Sequence, residues 1–251
     1  MRALLVLVLA CGSSSTPPPR VEPKGSATSS ATTLTPGVEV PEVGLFGYGV
    51  ADDAKPTFAA TLNGITFEGK PLARLQDGQI AGEELEGGAL GFEITRLAKV
   101  AGRLDKTKRV LLSFDRRIPY RTLLAVAYTL RKSGLAEVGL LARSGAHAVM
   151  APIALEPRPA APLVVAIGKT ELKLKSDGQP KLTVKLAEKA ALADLGSALF
   201  ELATTQRDRR IVVTADPAIP LQAIAEVIGA VRATPDGKEL FPDVSFGESF
   251  E

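Results

Sequence analysis

Arg109-Val110-Leu111-Leu112-Ser113-Phe114-Asp115-Arg116-Arg117-Ile118-Pro119-Tyr120 and Arg210-Ile211-Val212-Val213-Thr214-Ala215-Asp216-Pro217-Ala218-Ile219-Pro220-Leu221 are one pattern written twice. The Arg, Asp, Ile and Pro recur at a constant offset of 101 residues. In each copy an apolar run, rich in β-branched residues in the second, suits a strand covered on at least one face. An Asp-x-x-Ile-Pro turn follows, with the Pro suited to the first position of a helix, where its missing N–H costs nothing. The next apolar stripe has helical spacing: Ile224, Val227, Ile228 and Val231 in the second copy, and Pro119 to Ser133, stopped by Gly134, in the first. Val138 to Ala142 then supplies a further strand in the first copy.

Working outward, Leu192, Leu195, Leu199 and Leu202 form one face of an amphipathic helix before the second strand, and Ile94, Leu97, Ala101 and Leu104 do so before the first. Leu163 to Ile167 and Glu171 to Lys175 are short β-type runs, and Asp177-Gly178 is a hairpin signal. Gly69-Lys70 with Asp77-Gly78-Gln79 matches Gly168-Lys169 with Asp177-Gly178-Gln179 at offsets of 99 and 100. A period near 100 residues indicates two homologous domains and not a solenoid. The join falls in the proline-rich stretch Glu156 to Pro162. The expectation is an α/β (α+β two-layer) fold in two tandem domains, 44–156 and 163–251, each a small mixed sheet with two helices on one face.

With 45% hydrophobic and 23% charged residues the composition is that of a soluble globular protein. Thirty basic residues against 28 acidic ones leave +2, with no stretch concentrating the excess, so no nucleic-acid partner is expected. One Cys and one His are too few for a disulfide framework or a zinc site built from those ligands. Asp115 and Asp216 stand between strand and helix, where an Asp accepts hydrogen bonds from free backbone N–H groups. With no His, Cys or second carboxylate nearby, they read as structural turn residues, as do Pro119 and Pro220. His147 falls in a hairpin loop, and Asp52-Asp53 marks a turn. Gly87-Gly88 and Gly44 to Gly49 lack the Lys-Ser/Thr ending of a phosphate loop. The basic clusters Arg116-Arg117 and Arg207 to Arg210 read as solvated turn charges, with acidic wall polymer as the other use. No catalytic, cofactor or metal-binding residue is expected, and the chain reads as a non-enzyme.

Met1-Arg2, the apolar run Ala3 to Ala10 and the ending Val8-Leu9-Ala10-Cys11 resemble a bacterial lipoprotein signal. The resemblance implies removal of residues 1–10, lipid attachment at Cys11 and a location in the cell envelope facing the periplasm. Gly12 and Ser13, which are not acidic, favour the outer membrane. The Ser/Thr/Pro-rich stretch that follows, within residues 11–43, has too little apolar surface to offset its conformational entropy and reads as a disordered tether.

The ordered segments Phe114-Asp115, Ile118-Pro119-Tyr120, Leu130 to Gly134 and Val138-Gly139-Leu140, repeated as Thr214-Ala215-Asp216, Ile219-Pro220, Val231-Arg232 and Leu240 to Val244, resemble the periplasmic domain of the ExbD/TolR biopolymer-transport family. Members of that family carry a transmembrane helix with an Asp used in proton coupling; this chain has a candidate lipid anchor instead, so the motor function does not carry over. The resemblance implies an envelope binding protein whose two covalently joined copies form a pseudo-dimer. Its partner would be peptidoglycan, or an extended segment of an envelope protein paired with a sheet edge. The other readings are an accessory subunit of a TonB/Tol-type transport complex and an unrecognised periplasmic hydrolase.

Overall fold

The two quoted apolar runs form parallel-paired strands, β6 (Val110–Phe114) and β12 (Arg210–Ala215), and the rest of the architecture is built around them. The computed structural model of the chain describes residues 34–44, 47–51, 56–80, 94–105, 109–155, 163–188 and 190–247. Cys11, Asp52-Asp53, Gly87-Gly88 and the Glu156–Pro162 join lie outside the described residues.

Before β6 come β1 (Gly49–Val50), β2 (Thr57–Thr61), β3 (Gly64–Phe67), β4 (Lys70–Gln76), β5 (Gln79–Ile80) and helix α1 (Thr95–Gly102). After it come α2 (Tyr120–Lys132), β7 (Glu137–Ser144) and β8 (His147–Ala154). The second half runs β9 (Leu163–Ile167), β10 (Glu171–Ser176), β11 (Gln179–Lys185), α3 (Ala191–Thr205), β12, α4 (Leu221–Arg232) and β13 (Asp243–Phe246). The fold is therefore mixed α/β, with four helices and one large mixed sheet among the described residues.

Across that sheet the order is β11-β10-β9-β12-β13-β8-β7-β6-β2-β3-β4-β5, with β1 pairing β8 off this path. Read inward from each end of the shared part, β11-β10-β9-β12-β13 and β4-β3-β2-β6-β7 have the same order and the same alternation of antiparallel outer pairs with parallel inner pairs. The expectation of two separate small sheets is corrected at one point. The β7–β8 hairpin leaves an open edge on β8, and β13 occupies it through the Ser245–Ala154 pairing, so the strands join into one sheet.

The helix starts also differ from the sequence expectation. Pro119 and Pro220 are not the first helical residues but the N-caps, with ψ of 152° and 150°. Their extended backbone follows from pairing with each other in an antiparallel bridge. The Tyr120 N–H donates to Ile219 O and the Leu221 N–H to Ile118 O, both at 2.8 Å; the Arg121 N–H donates to Pro217 O at 3.1 Å and the Gln222 N–H to Arg116 O at 2.9 Å. Each bond maps onto its mate by the 101-residue shift, which is a local two-fold relation. The first N–H groups of a helix have no partner within it. Neither α2 nor α4 has a side-chain cap, and each takes its cap from the backbone of the other half.

All four helices contribute to one continuous apolar cluster with Phe58, Leu112, Phe114, Val138, Val165, Ile211, Val213 and Val244 of the sheet. Leu111, Leu141, Met150 and Ala51 form a small second cluster, and Leu111 alternates with the core-facing Val110 and Leu112. Gly134, with φ of 90°, ends α2 through Gly134 N–H to Arg131 O and Leu135 N–H to Leu130 O bonds.

Residues 39–43, which fall inside the stretch expected to be tether, are bonded to the folded body. Arg116 N–H donates to Glu39 O, Arg143 N–H to Pro41 O and Val43 N–H to Arg143 O at 2.7–2.9 Å. The Tyr48 hydroxyl donates to Ala225 O of α4 at 2.7 Å, and burial pushes its pKa up. At Gly47, with φ of +80°, a Cβ would stand 2.6 Å from Gly229 O, so the chain crosses α4 at a position open only to glycine.

The paired Asp-Gly dipeptides are a second correction. Asp77-Gly78 turns β4 into β5, whereas Asp177-Gly178 turns β10 into β11. The counterpart of the latter is Glu68-Gly69, between β3 and β4. All three turns place an L-residue at φ of 48–50° and then a glycine at 76–79°, the geometry that suits a two-residue hairpin. Identical turn chemistry in neighbouring hairpins let non-equivalent turns match in sequence.

Candidate functional site

The Asp115 and Asp216 turns superpose bond for bond. Oδ1 of Asp115 accepts from the Arg117 N–H and Oδ1 of Asp216 from the Ala218 N–H, both at 3.0 Å. The Asp115 carbonyl accepts from the Ile118 N–H and that of Asp216 from the Ile219 N–H, both at 2.9 Å. Their own N–H groups reach back to the neighbouring strand, to Ala60 O and Ile167 O. Each carboxylate thus holds the turn that aims its Ile-Pro at the opposite half.

The difference lies two residues on. Arg117 closes on the Asp115 carboxylate with Nε–Oδ1 and Nη2–Oδ2 contacts of 2.9 Å, whereas Ala218 cannot, and Lys169 lies 3.8 Å from Asp216. The Asp115 side chain is only 2% exposed, and the Arg117 hydrogen bonds hold its pKa below the usual carboxylate value. A lowered pKa in the folded state adds stability above the normal carboxylate range, which is lost as pH falls through the folded value. Asp115→Asn is accordingly expected to cost ~1–2 kcal/mol at pH 7 and to flatten the loss of stability below about pH 4, as read by urea unfolding across pH.

Most of the remaining sequence candidates are spoken for within the chain. Arg116 pairs with Glu39, Arg210 with Asp208, and Arg209 donates to Leu240 O while its guanidinium lies over the Phe241 ring. His147 is exposed at the start of β8. Among the described residues no three His, Cys, Asp or Glu side chains gather in a way that could hold a metal ion.

Two surfaces remain. The first is the sheet end at β11, which pairs only with β10 among the described residues. The Leu186 N–H bonds to Thr170 O, and the register then runs Lys185 to Glu171, Val184 to Leu172 and Thr183 to Lys173. Hydrogen-bonded and non-hydrogen-bonded pairs alternate in an antiparallel ladder, so the backbone groups of Thr183 and Lys185 point away from β10. Leu182 and Val184 pack on the core, which puts Lys185 on the opposite face with Lys173 and Lys175, while Lys181 stands exposed at the point where the β10–β11 register shifts. Lys173 is paired with Glu171 at 2.6 Å.

The second surface is a groove of about 820 Å³ between α3 and α4. Its floor is Leu192, Gly196 and Phe200 of α3 with Gly229 and Ala230 of α4, and its rim carries Glu201, Glu226 and Asp236. Phe200 is the one exposed large hydrophobic residue among those described, and Lys238 lies 4.5 Å over its ring. Gly196 stands mid-helix with open space where its Cβ would be. Such a glycine costs a helix roughly 0.5–1 kcal/mol relative to alanine, and no described residue uses the space. The sequence places Leu192 with Leu195, Leu199 and Leu202 on one face; the structure has Leu192 also lining the groove, with Gly196 and Phe200 following it at a spacing of four.

No protein-family model matches the chain, and no curated protein matches it.

Proposed function

We propose that the chain is a non-enzymatic cell-envelope lipoprotein, anchored through Cys11 in the outer membrane, whose two ExbD/TolR-like units act as one covalent pseudo-dimer. It binds an extended segment of an envelope protein, which adds as a strand to the edge of β11. The observation that carries this reading is the outer side of β11, unpaired among the described residues, where the Thr183 and Lys185 backbones face outward beside a packed Leu182 and Val184. Lipid attachment rests on the Ala3–Cys11 sequence pattern, and the pseudo-dimer on the matched strand orders and reciprocal helix caps. The ExbD/TolR kinship rests on the repeated Asp-x-x-Ile-Pro motif.

Peptidoglycan is the second reading, favoured by Lys173, Lys175 and Lys185 on one face of the same sheet end and by exposed Lys181 beside them, which suits a carboxylate-bearing polymer.

Thr183→Pro separates the two. Proline removes an outward N–H and leaves the β10–β11 ladder intact, so the fold is retained. Loss of an envelope protein that co-purifies with the intact lipoprotein after in vivo crosslinking, with sedimentation on sacculi unchanged, is the expected result. Sacculus binding that survives Thr183→Pro but falls with Lys181→Glu and Lys185→Glu, with no protein partner captured, would replace strand addition with the peptidoglycan reading.

A further inference from the structure

The groove between α3 and α4 asks for an occupant of defined chemistry. From Leu192 to Phe200 the apolar stripe runs about 12 Å, eight residues at 1.5 Å each, enough to seat two turns of a docked helix. Helices that pack on glycine and alanine approach closely, and Gly196, Gly229 and Ala230 leave that room. Gly229 is already explained by its contact with Gly47, but Gly196 has no neighbour among the described residues where its Cβ would stand. The α3 leucines Leu195 and Leu199 face the core and Leu192 packs partly against it, while Leu192, Gly196 and Phe200 also line the groove, with Phe200 exposed among the described residues.

Charge then selects the partner. Three carboxylates, Glu201, Glu226 and Asp236, line the groove, and no basic residue is among its lining from the described residues. Lys238 stands nearby, over Phe200. The whole chain carries +2, so this acidity is local and does not reflect an overall field.

We infer that this groove docks an amphipathic helix of a partner protein, one with apolar residues on one face and lysine or arginine along its flanks. The helix lies in the cleft in the helix-in-groove mode, with its apolar face on Leu192, Gly196 and Phe200 and its cations against the three carboxylates. The site lies on α3 and α4 and not on the outer edge of β11, and it does not depend on strand addition or on the lipid.

The test is fluorescence anisotropy with a labelled 14-residue helix of leucine and lysine, titrated with the full chain, and with the same helix carrying glutamate in place of lysine. Saturable binding of the lysine helix alone is expected, weakening with added salt. Gly196→Leu puts a good helix former into open space, so it keeps or raises Tm while weakening binding at least tenfold. Combined Glu201→Gln, Glu226→Gln and Asp236→Asn weakens binding and flattens its salt dependence. Thr183→Pro leaves the affinity unchanged, which separates failure of the groove from failure of the edge strand. Equal affinity in wild type and Gly196→Leu, equal binding of the glutamate helix, or no binding at millimolar protein would each overturn the assignment.

Discussion

Residues 34–155 and 163–247, produced as separate fragments, are expected not to fold, whereas the intact chain loses far-UV and near-UV circular dichroism in one coincident urea transition. Each fragment loses its neighbour at the places where it has unmet needs. Four backbone bonds around Pro119 and Pro220 disappear, leaving the first N–H groups of both α2 and α4 without caps. At roughly 0.5–1.5 kcal/mol each they contribute about 2–6 kcal/mol, a large share of the roughly 5–15 kcal/mol that separates a folded domain from its unfolded chain. Tyr120 of the first half also loses the acceptors of its hydroxyl, Gly247 O at 2.6 Å and Val213 O at 3.2 Å, and the edge-on contact of its ring with Phe246 at 6.1 Å. The open edge of β8 is exposed as well, a liability for aggregation. Two resolved transitions, or a second-half fragment that melts cooperatively near the temperature of the intact chain, would show instead that the halves are independent domains.

Arg232→Ala is expected to be the most damaging single substitution away from the apolar core, costing about 3–5 kcal/mol. The Arg232 guanidinium donates from Nε to Gly47 O at 2.6 Å and from Nη1 to Pro242 O and Pro152 O. Those carbonyls belong to the segment before β1, the approach to β13 and strand β8, so one side chain ties three separate stretches of chain. Burial pulls its pKa down, and Glu239, Tyr48 and Glu137 oppose that shift. Removing the cation leaves three carbonyls short of a donor in a region water reaches poorly, and the loss of such a partner costs more than an exposed hydrogen bond. For a body of this size the change corresponds to a fall in Tm of about 10 °C. Arg232→Lys should recover only part of it, because an ammonium cannot span the fork of acceptors. An alanine variant melting within a degree or two of wild type would mean that water replaces the guanidinium.

The residue that stands 101 positions before Arg232 shows why this role was not legible. Arg131 lies over the Tyr128 ring at 4.8 Å, on the outer side of α2. Two arginines occupy the same helical position in matched motifs, and only the three-dimensional surroundings make one of them a clasp. Gly229 stands where the first copy has Tyr128, and that exchange opens the space used by Gly47 and by the α3/α4 groove. The sequence repeat locates such pairs but does not say which member has been put to use.

What the amino-acid order determined alone was whatever acts over a few residues. The two apolar runs became β6 and β12, the helical stripes became α2 and α4, Gly134 closed its helix, and the two Asp turns formed the same hydrogen bonds. What only the tertiary structure decided was the use of the groups left over once local structure had formed. The open edge of β8, the uncapped ends of α2 and α4, the three carbonyls around Arg232 and the second apolar stripe of α3 each needed a partner, and those found within the chain lie 80 or more residues away, Pro242 excepted. Periodicity and turn chemistry carry no information over such distances. That is why the halves could be read as two domains in sequence although their strands meet in one sheet.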